Sequence, residues 1–357
     1  MADSPTQLLE SIPDLARTQD AAALVALRDH ADKQVRKAAR KALHTLRSKG
    51  VEIPEPGATK AWSPGTEAEL RGGMQSAAVI DVSSAPGGIR LMIAEPHPQG
   101  RSSLILATLT GNDRVADFSA YVQTDGQRER LIRDWDRTHS GRRVPVAWAK
   151  SRIRWARERT VEGGNTVSRS LNDMLETLGD VPEDRPVNFV AALLEAVEGA
   201  SRDGGVDPIL RAAGAHRWPP LFDVEPILAG VGERRPDVDE STPESEREAL
   251  LLEAAKGLED VREALTGPVS NLLEDAAAGL WLDGDDATAR AVLDLARELR
   301  AADEAETLPW VARILGMQVF STLSAMATQQ GMSPEQFARA LQAQAQNERE
   351  GAEASAT

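Results

Sequence analysis

Alternating and continuous apolar runs crowd into one short stretch of this chain, and helical periodicity fills most of the rest. Between Gln75 and Thr124 lie four such runs, Ala77–Ser83, Ile89–Ala94, Ser103–Leu109 and Val115–Val122. In the second, Ile89, Leu91 and Ile93 fall on one face and Arg90 on the other, the period-two pattern of a strand. The connections at 85–88, 96–100 and 110–113 are short and rich in Gly, Pro, Asn and Asp. Such turns predict a four-stranded antiparallel meander. Leu131, Ile132 and Trp135 then form a helical stripe suited to covering one face of that sheet.

Helical spacing dominates on both sides. Gln7–Ile12 and Asp20–Arg28 read as short helices. Lys33–Ser48 reads as a longer one, with Val35, Ala38, Ala39, Ala42, Leu43 and Leu46 on one face and Asp32 at its N-cap. After the sheet, Val144–Arg159 is amphipathic, and Ile153 and Trp155 are expected in the core. Short helices follow at Ser170–Leu178, Pro186–Val197, Asp207–Ala213 and Val224–Leu228. Glu244–Leu265, Val269–Leu282, Asp286–Ala302 and Leu308–Gln329 read as a bundle. The last of these is apolar all round and is expected at the bundle centre, with a final helix at Pro334–Asn347. The fold class is α+β, predominantly α-helical. Its expected segments are helices at 1–50, a Pro/Gly-rich linker at 51–74, the sheet with covering helices at 75–160 and short helices at 161–233. An acidic linker at 234–246, the helical bundle at 247–348 and a polar tail at 349–357 complete the plan.

Two stretches carry family resemblances. Asp32, Val35-Arg36, Ala39 and Ala42-Leu43 resemble the second helix of a HEAT repeat, over about residues 7–50. That resemblance implies helix-pair packing in a scaffold that binds other macromolecules. Gly284-Asp285-Asp286, Ala289 and Ala296 resemble the turn and second helix of a tetratricopeptide repeat, over about residues 269–302. This implies an antiparallel helix pair brought close by small side chains.

Charge changes the picture. The net charge is −15, yet Arg28–Lys49 holds eight Lys/Arg against two acids, and Arg128–Arg159 eleven against four. From Thr160 onward, sixteen basic residues face thirty-seven acidic ones. The basic segments either pair with the acidic half or meet an external polyanion. The candidate polyanion-binding residues are Lys33, Lys37, Arg40, Lys41 and Arg47 in the first segment, and Arg142, Arg143 and Arg152 in the second. Trp135, Trp148 and Trp155 are interleaved with those cations, as in single-strand platforms, although tryptophans at helical positions are more often buried anchors covered by Arg stems.

The inventory of reactive residues is thin. The chain has no cysteine, which excludes disulfides and thiolate chemistry. The five histidines never stand three or four apart, and no phosphate-binding loop or nucleophile elbow occurs. Asp283, Asp285 and Asp286 lack the downstream Gly and Glu of a calcium loop and read as helix capping. Asp134 and Asp136 near His139 read as ordinary ion pairing. No cofactor or metal is expected, and neither a secretory signal nor a membrane span is read. The expectation is a non-enzymatic cytoplasmic interaction or scaffold protein with a protein partner. Its rivals are a nucleic-acid-binding protein using 28–49 and 128–159, and an enzyme whose site is assembled from distant residues.

Overall fold

The computed structural model describes residues 5–18, 23–24, 27, 32–48, 78–82, 87–97, 101–139, 142–202, 205–235, 238 and 241–333. The expected linker at 51–74, the helix at Pro334–Asn347 and the polar tail lie outside them, as do most of Asp20–Arg28 and four residues of 234–246. Among the described residues no helix is long and apolar enough to cross a membrane. The chain divides into two units: residues 1–61 with Leu175–Asp180, and residues 62–174 with 181–357.

In the first unit, α1 (Pro5–Arg17) packs against α2 (Lys33–Ser48). Ile12, Leu24, Val35, Ala39, Leu43 and Leu46 form the core, flanked by Leu8, Leu9, Leu15 and Leu27. Helix α1 runs past the expected end at Ile12 and through Pro13, because Leu15 and Ala16 continue its buried stripe. Asp32 caps α2 as its position predicts, its Oδ1 accepting from the backbone N–H groups of Gln34 at 2.8 Å and Val35 at 3.1 Å.

The second unit is built on an antiparallel sheet of β1 (Ala78–Asp81), β2 (Gly88–His97), β3 (Arg101–Thr110), β4 (Val115–Thr124) and β5 (Arg142–Val144). The order is β4-β3-β2-β1-β5, so the four expected strands form the meander and a fifth is added beside β1. Three residues are too few to show a period, and Arg142-Arg143-Val144 was masked by the basic run around it. Helix α3 (Asp125–His139) covers one face, setting Leu131, Ile132 and Trp135 against Val79, Met92, Ala94 and Leu104. Helix α4 (Val146–Glu162) lies against β2, β3 and β4. Both faces of the sheet are therefore covered, and Met92 and Ala94 are as buried as Leu91 and Ile93.

The expected Ser170–Leu178 helix is two short ones, Arg169–Asp173 and Leu175–Leu178; after them come α5 (Asp207–Ala212), α6 (Glu225–Arg234), α7 (Glu244–Ala255), α8 (Glu259–Ala264), α9 (Ser270–Leu282), α10 (Asp286–Ala301) and α11 (Val311–Gln329). The expected helix Glu244–Leu265 is broken at Gly257, whose φ of 76° ends α7. Helices α8 and α9 are instead joined through a π turn at Leu265–Val269, which carries Pro268. Pro186–Val197 is helical only as a 3₁₀ turn at Leu193–Ala196. Buried Asn188 anchors its first part by donating to the Glu274 carbonyl and accepting from Val190 N–H. Helix α9 also reaches the sheet closely. A Cβ at Gly279 would meet Val82 Cγ2 at 2.7 Å, so only glycine admits this approach.

Candidate functional site

Ionisable side chains converge where the β3–β4 turn, α4, α9 and the segment around Arg185 meet. The turn is closed by Asp113 N–H donating to the Thr110 carbonyl at 2.9 Å, which places Asp113 at φ 51°. A non-glycine residue in the left-handed region is uncommon, and aspartate is among the residue types that tolerate it best. On α4, Trp148, Arg152, Ala156 and Thr160 stand four apart and are all buried, so Arg152 points inward from the middle of the buried stripe. On α9, Glu274 and Asp275 are the only charges in an otherwise uncharged helix, and both are buried.

These groups pair with one another, leaving only Arg152 Nε and Arg185 Nη2 of the three guanidinium groups buried without a hydrogen bond. Arg152 donates to Asp275 through both terminal nitrogens, at 2.7 and 3.2 Å, and to Asp113 at 3.1 Å. Arg185 Nε donates to the other Asp113 oxygen at 2.7 Å, and its Nη1 donates to Glu274. Arg300 pairs with the second Glu274 oxygen and donates to Asn271 Oδ1 at 2.7 Å. Asn271 in turn donates to the Gly111 carbonyl at 3.0 Å and to Asp113 at 3.3 Å. Three guanidinium groups thus face three carboxylates. Burial alone would raise the Asp113 pKa, but Arg152 and Arg185 outweigh it and hold the carboxyl below its ordinary value. Burial likewise opposes the charge on Arg152, and Asp275 and Asp113 overcome it, raising that pKa. Asp113 is therefore a fixed ion clamped by two arginines, poorly suited to accept a proton as a general base.

A cleft of about 960 Å³ opens beside this network. Asp113, Arg185 and Asn271 reach it from the network, Trp155 and Arg159 from α4, Phe222 from the segment before α6, and Gly267 and Pro268 from the π turn. Its charges are largely occupied: Arg159 pairs with Glu162 at 2.7 Å and lies 5.8 Å from the Trp155 ring centre, and Asp223 accepts from Glu225 N–H at 2.9 Å. Arg114, Asp260 and Glu263 complete the rim as exposed charges.

The basic candidates are scattered. Lys37 and Lys41 are exposed on α2, while the side chains of Lys33, Arg40 and Arg47 lie outside the described residues. Arg142 forms a two-pronged pair with Asp283, its Nε donating at 2.8 Å. Arg143 is half-buried on β5, opposite Val79. Arg152, expected on a polyanion-facing surface, is only 1% exposed and held between two carboxylates. Trp148 is buried, donating to the Val187 carbonyl at 3.1 Å and meeting Phe189 edge-on at 4.9 Å between ring centres. Asp285 caps α10 by accepting from Thr288 N–H at 3.2 Å, and Asp134 pairs with Arg137 at 2.9 Å. The side chains of Asp136 and His139 lie outside the described residues.

The expectation that Leu308–Gln329 is buried on every side is corrected. On α11, Ile314, Leu315 and Gln318 are buried, Gln318 accepting from Leu221 N–H at 2.7 Å. Elsewhere on the helix Val319 and Leu323 are half-buried and Ala327 fully buried, while Phe320 is 64% and Met326 42% exposed. Residues 314–334 contain no Asp, Glu, Lys or Arg, in a chain that is 27% charged. An uncharged helix surface half open to water differs from its surroundings in both respects.

Comparison of the chain with protein-family models, with curated proteins and with solved structures finds no match.

Proposed function

We propose that the protein is a non-enzymatic cytoplasmic interaction protein, in which the second unit presents the open side of α11 to another polypeptide. The observation that carries this reading is the uncharged apolar face around Phe320. Contiguous exposed apolar surface costs solvation free energy, and in soluble proteins it marks contact sites. Phe320 and Met326 are exposed, with Val319 and Leu323 half-buried beside them. The ion network supports a binding role by tying the β3–β4 turn to α4 and α9, which favours a rigid carrier over a moving catalytic site. The α9–α10 pair, turning at Gly284 and packed through buried Ala289 and Ala296, fits the helix-pair resemblance and the same reading.

The test is affinity capture from cells with the wild-type chain and with Phe320→Glu as baits. The exposure of Phe320 lets the variant fold, which circular dichroism checks. The expected result is a defined set of polypeptides retained by the wild type and lost by the variant. Identical sets from both baits would refute α11 as the docking face.

A further inference from the structure

We infer that Met326 and Met332 form a peroxide-modification site that switches the docking face of α11 off, an inference that rests on reading this face as a docking surface. The chain has seven methionines and no cysteine, so methionine carries all of its sulfur. The structure sorts these side chains by access. Met92 is fully buried in the sheet, and Met174 and Met317 are half-buried, whereas Met326 is 42% and Met332 40% exposed. Met1 and Met74 lie outside the described residues. Among the described residues, both exposed methionines therefore fall at the C-terminal end of α11, the helix that carries Phe320. The helix cap brings them together. Gly331, at a φ of 69°, ends the helix, its N–H donating to the Thr328 carbonyl at 3.1 Å, and Met332 N–H donates back to the Ala327 carbonyl at 2.9 Å. That turn returns the backbone of Met332 to the residue that follows Met326.

The chemistry is a two-electron oxygen transfer. Hydrogen peroxide hands one oxygen to the thioether sulfur: the S–O bond forms as the O–O bond breaks, and the second oxygen leaves as water with both protons. Sulfur is oxidised and the peroxide reduced. The thioether is apolar, flexible and polarisable, the kind of side chain that adaptable contact surfaces use. The sulfoxide is polar and accepts hydrogen bonds, so enclosing it in an apolar contact costs desolvation that the thioether did not. In the free chain both sulfoxides remain in water, and the fold is untouched. The same oxidation at Met92 would instead put a polar group into the sheet core. Exposure thus makes Met326 and Met332 a site where oxidation alters the surface and spares the structure.

The experiment treats the full chain with dilute hydrogen peroxide, locates the sulfoxides by peptide mass spectrometry, and repeats the affinity capture with the treated chain as bait. The expected result is oxidation of Met326 and Met332 ahead of Met92, an unchanged thermal midpoint, and loss of the polypeptides that the untreated chain retains. Methionine sulfoxide reductase should restore them. The double variant Met326→Leu with Met332→Leu keeps the face apolar without sulfur, and should capture the same set before and after peroxide. It also separates these two residues from Met1 and Met74. Capture that survives oxidation of both residues overturns the inference, as does a loss that the leucine variant shares or oxidation of Met92 first. A captured set indifferent to Phe320→Glu overturns the docking reading, and the inference with it. A set lost with Phe320→Glu but kept through oxidation overturns the inference alone.

Discussion

Arg152 and Asp275, 123 residues apart in the chain, form a two-pronged ion pair out of contact with water, Nη1 to Oδ1 at 2.7 Å and Nη2 to Oδ2 at 3.2 Å. The same guanidinium holds Asp113, so one side chain of α4 fixes both the tip of the β3–β4 turn and the middle of α9. Removing it takes the two-pronged partner from buried Asp275 and leaves Asp113 to Arg185 and Asn271 alone. Arg152→Met should therefore lower unfolding free energy by about 3–5 kcal/mol in urea titration. Arg152→Lys keeps the charge but loses the fork, and should recover only part of that loss. A loss under about 1 kcal/mol for the methionine variant would mean that the network contributes little.

Acid should act through the same cluster. The folded pKa of Asp113 lies below its unfolded value, so the stability it contributes is fully present above the unfolded pKa. That stability is lost as pH falls through the folded pKa. Glu306 behaves alike: hydrogen bonding from Arg262 lowers its pKa, with burial opposing. Thermal midpoints should hold steady from neutrality to about pH 4 on account of these groups and fall below it. Asp113→Asn should be less stable than wild type at pH 7 and converge with it in acid. A constant gap between the two down to pH 2, about two units below the unfolded value, would remove Asp113 from the acid response.

The sheet was legible because its strands alternate and its turns are short, and the covering helix because Leu131, Ile132 and Trp135 share a stripe. The network was not, since its members come from five separate segments and charge alone does not say which arginines are inside. One signal existed. Arg152 stands four residues from Trp148 and four from Ala156, on the stripe that the apolar spacing assigns to the core. Glu274-Asp275 within an uncharged helix was its complement. Helix α11 failed in the opposite sense, because apolar residues on every side do not say which side a neighbour covers.

That difference within α11 is measurable. Leu315 is fully buried, and Leu315→Ala should cost about 2–5 kcal/mol by leaving a cavity. Phe320→Ala removes a larger side chain but one already in water, and should shift monomer stability by no more than about 0.5 kcal/mol. Chemical denaturation at dilute protein separates the two. Equal losses would place Phe320 in the core.

For the basic segments, Lys37 and Lys41 remain as exposed cations, whereas Arg142 and Arg152 are engaged by carboxylates. Generic RNA or DNA should show no measurable binding at physiological salt. Low-micromolar binding there, weakened by Lys37→Glu with Lys41→Glu and falling steeply with salt, would put the nucleic-acid reading first.

The final prediction concerns the π turn between α8 and α9. Ser270 N–H donates back to the Leu265 carbonyl, five residues earlier, so the helix carries one residue more than an α-helical path would need. That residue sets the phase of α9. Asn271, Glu274 and Asp275 share the α9 face that meets Gly111, Arg185, Arg300 and Arg152. Deleting Gly267 should return the segment to α-helical winding and turn α9 by about 100° relative to α8. All three side chains would then leave their partners together, and the loss should exceed that of Arg152→Met. Gly267→Ala separates register from residue type. A Cβ at Gly267 meets nothing within 4 Å, so alanine should be neutral or mildly stabilising. Urea midpoints of both variants test this. A deletion as well tolerated as the alanine would show that α9 can be rephased without loss, and that the extra residue does not position the network.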